Sequence, residues 1–178
     1  MKKLVFLFAS LFIIVVATQS VKAQESATAE SSATIITPIS ISKNTSAVGG
    51  GDLNFGNIAV QSTNGGTVIL STDPEQDREA TGGVTLPVST GIVSPASFTV
   101  TGDGERTFSI SLPTTSIVLT SGENEMTLGS FESSPSGSSS LSSGTKTVTV
   151  GGVLQVNAQQ PAGVYTNANG LEVTVNYN

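Results

Sequence analysis

From Ile35 to the end of the chain, apolar and polar residues alternate with a period of two over most segments. That is the pattern of β-strands with one face buried. Phe108, Ile110 and Leu112 fall on one side of such a run, and Thr107, Ser109 and Ser111 on the other. Val148, Val150, Leu154 and Val156 keep one parity through Gly152, and Leu171, Val173, Val175 and Tyr177 alternate with Glu172, Thr174, Asn176 and Asn178. Further strands are expected over 33–42, 53–60, 67–72, 84–88, 97–101, 116–121 and 126–133. The expected core takes Phe55, Phe98, Phe108, Ile110, Leu112, Val148, Val150, Val173 and Val175 from the apolar sides of these runs. Val, Ile and Thr suit a pleated, half-buried surface and disfavour helix. Beyond residue 23, no segment repeats apolar residues at helical spacing for more than about a turn.

Two breaks in parity locate irregularities. Leu53 and Phe55 share a side, while Ile58 and Val60 take the other across Gly56-Asn57. Met126 and Leu128 lose step with Phe131 across Gly129. One extra residue in a strand resets which side faces inward, and glycine commonly occupies that place, so bulges or bends are expected at Gly56 and Gly129. Turn formers separate the runs, with Asn64-Gly65 the strongest hairpin signal among them. The serine-rich stretch 133–144 reads as a surface loop. Many short strands at this spacing predict an all-β protein, an antiparallel β-sandwich.

The N-terminus changes the picture by fixing a compartment. Lys2 and Lys3 precede an uncharged run from Leu4 to Ala17, and Val21-Lys22-Ala23 follows with small or β-branched residues around a cleavage position. This order predicts a signal peptide over 1–23, a flexible arm over 24–32 and one domain over 33–178. The uncharged run of fourteen residues is shorter than the about 20 needed to cross a bilayer, so no membrane span is expected in the mature chain. Exported protein should begin at Gln24, or its cyclised form, by intact mass. Met1 retained in periplasmic or extracellular material would overturn this reading.

With no cysteine, a disulfide framework and a lipidated N-terminal cysteine are both excluded. Cleavage would remove three of the seven basic residues and none of the thirteen acidic ones, leaving four against thirteen, a net charge of −9. So acidic a surface repels nucleic acid and anionic headgroups, and neither is expected as a partner.

Candidate chemistry is sparse. The chain has no His, Cys or Trp, which removes Ser-His and Cys-His nucleophile pairs and His- or Cys-based metal sites. Ser40 with Lys43 and Ser143 with Lys146 have the spacing of a Ser-Lys pair without a helix start to carry it, so no catalytic residue and no cofactor are assigned. Asp73, Glu75, Asp77 and Glu79 could offer oxygen ligands to calcium, but they lack the glycine-centred order of a calcium loop. A solvated hairpin tip, with Arg78 offsetting the repulsion, accounts for them better.

Several stretches together resemble a bacterial secreted family, domain of unknown function 4402. They include Ala33-Thr34-Ile35-Ile36-Thr37-Pro38-Ile39, Leu53-Asn54-Phe55-Gly56-Asn57-Ile58, Phe98-Thr99-Val100-Thr101-Gly102, Pro161-Ala162-Gly163-Val164-Tyr165 and Val173-Thr174-Val175-Asn176-Tyr177. The early Leu-x-Phe-Gly, the Ala-Gly-x-Tyr before the last strand and Tyr177 next to the C-terminus are also similar to chaperone–usher pilin subunits. That second resemblance implies an immunoglobulin-like sandwich missing one strand, which a neighbour's N-terminal arm supplies and a periplasmic chaperone guards. It places the assembly edge at Leu171, Val173, Val175 and Tyr177, and the donor residues at Ala27, Ala29, Ala33 and Ile35. Ala27 and Ala29 stand where a strong donor strand would carry large apolar groups, and at about 25 cal/mol per Å² they bury little.

Two functions fit these features. The first is a non-enzymatic structural subunit at the cell surface, joined to other copies of itself or to related subunits through edge strands. The second is a monomeric secreted adhesin, or carbohydrate- or protein-binding module, whose loops at 73–79 and 133–144 contact the ligand.

Overall fold

The computed structural model describes residues 24–75, 78–167 and 169–178. The expected signal segment 1–23 lies outside the described residues, as does Asp77. The chain divides into two units, Met1–Ile35 and Ile36–Asn178. In the first, residues 24–35 have no regular secondary structure and are exposed throughout.

The second unit is all-β and antiparallel. In chain order its strands are β1 (Ser40–Lys43), β2 (Asn54–Phe55), β3 (Ala59–Val60), β4 (Gly66–Leu70), β5 (Glu79–Ala80), β6 (Val84–Thr85), β7 (Val93–Ser94), β8 (Ala96–Thr101), β9 (Thr107–Ser111), β10 (Ile117–Ser121), β11 (Asn124–Ser134), β12 (Ser138–Ser140), β13 (Thr145–Val156) and β14 (Thr174–Tyr177). The long strand β13 is the spine of a seven-stranded sheet. Along one edge it pairs first with β8 and then with β4; along the other it pairs with β11. Strand β1 extends the sheet beyond β8, β10 beyond β11, and β5 beyond β4. A second sheet has the order β12-β9-β14, and two short ladders join β2 to β7 and β3 to β6.

Parity along β13 builds two apolar clusters. Val148 and Val150 pack with Ala96 and Val100 from the large sheet and with Phe108, Ile110 and Val175 from the small one. The small sheet therefore lies on the β8–β13 half of the large sheet. Leu154 and Val156 pack with Val68, Leu70, Met126 and Leu128, and Phe55 and Val84 cover them from the short ladders. Leu53 and Phe131 touch both clusters. Of the expected core, Phe55, Phe108, Ile110, Val148, Val150 and Val175 are buried, whereas Phe98, Leu112 and Val173 are half-buried at its margin.

The structure corrects several expectations. The first strand begins at Ser40 and not at residue 33. Asn64-Gly65 closes no hairpin, because β3 pairs with β6 while β4 pairs with β13 and β5. A local turn signal does not choose the partner. The 133–144 stretch is not merely a loop: Ser138–Ser140 pairs with β9, and Leu141 is 1% exposed in the core. Both parity breaks correspond to irregular backbone. Gly56 has φ +64° between β2 and β3, and the β11–β13 register shifts between Gly129 and Glu132, where Ser130 has φ +49°. Among the described residues, no helix is long and apolar enough to cross a membrane.

Candidate assembly edge

The alternation from Leu171 to Asn178 holds in burial, but the strand expected from Leu171 is shorter: β14 covers only Thr174–Tyr177, and among the described residues Leu171, Glu172 and Val173 precede it without pairing to a ladder. Val175 is buried at 7% exposure, and Leu171, Val173 and Tyr177 are half-buried on the same side, against the cluster around Phe108. Glu172, Thr174, Asn176 and Asn178 are exposed.

The hydrogen-bond phase of the small sheet fixes which backbone groups of β14 are engaged. The Asn178 N–H donates to the Thr107 carbonyl at 3.2 Å, continuing the ladder in which Thr174 faces Ser111 and Asn176 faces Ser109. On the far side of β9, the Ile110 N–H donates to Gly137 at 2.8 Å, and Leu141 donates back to Arg106 at 3.0 Å. In an antiparallel ladder, hydrogen-bonded and non-hydrogen-bonded pairs alternate. Thr174, Asn176 and Asn178 therefore point their backbone groups at β9, while Val175 and Tyr177 point theirs away from it. Among the described residues β9 is the only strand paired with β14, so the outer edge of β14 carries no ladder.

The neighbouring margin of the large sheet is also an edge. Among the described residues strand β1 pairs only with β8, a ladder that Asn44 continues by donating to the Ser97 carbonyl at 2.8 Å. Ile39 and Ile41 pack, half-buried, on the same cluster as Leu171, Val173 and Tyr177. Each sheet thus ends here in an open strand, and the apolar residues between them are only partly covered.

Tyr177 fastens one end of this margin. Its hydroxyl accepts a hydrogen bond from the Asp103 N–H at 2.6 Å and donates to the Thr37 carbonyl at 3.0 Å. Gly102 makes room for it, since a Cβ there would lie 2.2 Å from the hydroxyl. A tyrosine one residue from the end of a strand pattern signals a polar tip on an apolar body; its partners could not be read from the sequence. The expected donor residues Ala27, Ala29, Ala33 and Ile35 lie in the separate unit, each exposed.

The other candidate groups are arranged differently. Asp73 uses its carboxylate locally, accepting from the Glu75 N–H at 2.9 Å, and Glu79 belongs to β5, where it faces Ile69. Asp73, Glu75 and Glu79 are exposed. Arg78 is not the surface counter-charge expected of it: it is buried at 6% exposure, and its guanidinium donates to the Phe55 carbonyl. Ser40 and Lys43 fall on opposite faces of β1, where Ser40 shares a 2.7 Å hydrogen bond with the Thr101 hydroxyl and Lys43 forms a 2.7 Å ion pair with Asp52. The Ser143 N–H is bonded to the Glu105 carboxylate at 2.7 Å. An open depression of about 400 Å³ lies between the β10–β11 turn and residues 157–161 and is lined by polar side chains such as Glu123, Glu125 and Gln159.

A family model described as domain of unknown function DUF4402 matches residues 39–177. Among curated proteins and among solved structures, nothing matches.

Proposed function

We propose that this chain, which belongs to the family of domain of unknown function DUF4402, is an exported, non-enzymatic structural subunit that assembles by strand addition at β14. The observation that carries this reading is the open outer edge of β14, next to Leu171, Val173 and Tyr177, which their own domain leaves half-buried. Unpaired strand edges are templates for another chain, and an added strand gains backbone hydrogen bonds plus pockets for alternate side chains. On this reading the two sheets are a pilin-like, immunoglobulin-like sandwich lacking its final strand. The donor is the arm of a second copy, and a periplasmic chaperone would shield the edge before assembly.

The arm is long enough for this role. Twelve extended residues, 24–35, reach roughly 40 Å, whereas the four residues of β14 occupy roughly 13 Å. Ala27, Ala29, Ala33 and Ile35 fall on one side of an extended arm, and the alanines make it a weak donor. Deleting residues 24–32 should abolish SDS-resistant oligomers and leave the β-sheet circular dichroism unchanged. A synthetic peptide of residues 24–36 should bind the shortened chain. Replacing Ala29 by valine in that peptide adds two carbons to the buried side, about 1.6 kcal/mol at 0.8 kcal/mol each, and should tighten binding roughly tenfold. Wild-type protein that stays monomeric when co-expressed with a matching chaperone and usher, or a peptide indifferent to the Ala29 change, would defeat the proposal.

A further inference from the structure

The outward face of the β1–β8–β13 half of the large sheet is built almost wholly of hydroxyls. Register places Ser40, Thr101 and Thr145 in one row across the three strands and Ser42, Thr99 and Thr147 in the next. Val100, Val148 and Val150, at the alternate positions, are completely buried, so these six residues face outward, exposed or half-exposed. In the next row Thr149 lies beside Ser134 on one side, but Ser97 on the other is buried and bonded to Asn44, so the open face ends there on β8; a charge appears only one row further, with Glu132 opposite Gly151. Neighbours stand roughly 5 Å apart across the strands and roughly 7 Å apart along them. The charges of this end of the molecule lie off the face. Lys43 and Lys146 have the inward parity, Lys43 paired with Asp52, and Asp103, Glu105 and Arg106 sit in the β8–β9 loop.

We infer that this hydroxyl face is a lateral contact surface for a second copy of the same chain. The inference rests on the structural-subunit reading above and adds where assembled copies touch sideways. Two physical arguments select this occupant. Copies of an acidic chain with a net charge of −6 repel one another, so they approach at least cost where neither presents a charge. A hydroxyl both donates and accepts, so an array of hydroxyls is complementary to itself, as a two-fold contact between identical patches requires; arrays of carboxylates or ammonium groups are not. A sugar polymer fits less well, because the face carries no aromatic ring to stack against a pyranose. Three strands by two side chains cover roughly 200 Å², far below the about 800 Å² per partner of a stable pair. The contact is therefore weak between free monomers and is multiplied where polymers place many copies side by side.

The test uses the full exported chain. Sedimentation equilibrium of the monomer fraction, taken to millimolar concentration, should show wild-type mass rising with concentration. Thr147→Lys and Thr147→Glu should each weaken that association at least tenfold, an equimolar mixture of the two should regain it, and Thr147→Ser should match the wild type. Ser42→Lys repeats the test at a second position, and recovery in the mixture is a readout that a misfolded variant cannot give. SDS-resistant ladders read strand addition separately and should survive every one of these changes. A wild-type chain monomeric at millimolar concentration, association unmoved by Thr147→Lys, a mixture that does not recover, or a face whose variants lose only binding to an insoluble neutral polysaccharide would each overturn the inference.

Discussion

Replacing Phe108 by alanine should cost about 3–5 kcal/mol of folding stability, measured as the shift in urea unfolding at constant slope. Phe108 has no exposed surface and is the largest of the buried side chains in its cluster. It lies on β9, the middle strand of the small sheet, between Ser139 of β12 and Tyr177 of β14. Its ring is thus the main apolar mass that the small sheet sets against Val148 and Val150. Neither Ser139 nor Tyr177 can collapse into the space, because both are held by ladders to β9, and Val148 and Val150 are held by the ladder to β8. Domains of this size are stable by about 5–15 kcal/mol, so the loss takes a large share. It should also impair assembly, because β14 is held in the sheet by its ladder to β9, the strand that carries Phe108. A cost below about 1 kcal/mol, the scale of a surface change, would mean that Phe108 does not fill this core.

The runs that alternate without interruption were legible in the sequence because burial of one sheet face is itself a period-two condition. Strands β9 and β13 lie where parity puts them, β14 covers only the last part of its run, and Val148, Val150, Leu154 and Val156 are all buried through the Gly151-Gly152 step. Strand order was not legible. Nothing near β4 in sequence says that it pairs with the far half of β13, about eighty residues later. The run 33–39 looks as apolar as a strand, yet pairing starts only at Ser40, and Pro38 has no N–H to give to a ladder. Serine marks 138–140 as loop by composition, but three backbone pairings with β9 and the burial of Leu141 outweigh that preference. For the candidate edge, sequence supplied the apolar row and the parity. The hydrogen-bond phase that turns Val175 and Tyr177 outward, and the hold of Tyr177 on Asp103 and Thr37, depend on residues far apart in the chain.

Gly151 should tolerate no side chain, and this is the second large effect expected. The residue sits where β13 changes partner from β8 to β4, ringed by the carbonyl of Leu70 and the backbone of Ser71. A Cβ at Gly151 would stand 2.2 Å from the Leu70 carbonyl oxygen and 2.8 Å from the Ser71 carbonyl carbon. Both are backbone atoms at the end of a paired strand, so relief requires β4 to shift against β13, and Val68 and Leu70 would leave their cluster with it. Overpacking of this kind costs about 3 kcal/mol, at the upper end of what extra volume in a packed site imposes. The adjacent Gly152 is the control. It points inward, and a Cβ there would come no closer than 3.2 Å, to the Gly129 carbonyl and to the ring edge of Phe131, which is only half-buried. Gly152→Ala should therefore cost less than about 1 kcal/mol, with the smaller backbone entropy of alanine working in its favour. Thermal melts of Gly151→Ala and Gly152→Ala compared side by side decide the matter. Equal losses would mean that the step between the two apolar clusters is not made by the close approach of β4 to Gly151.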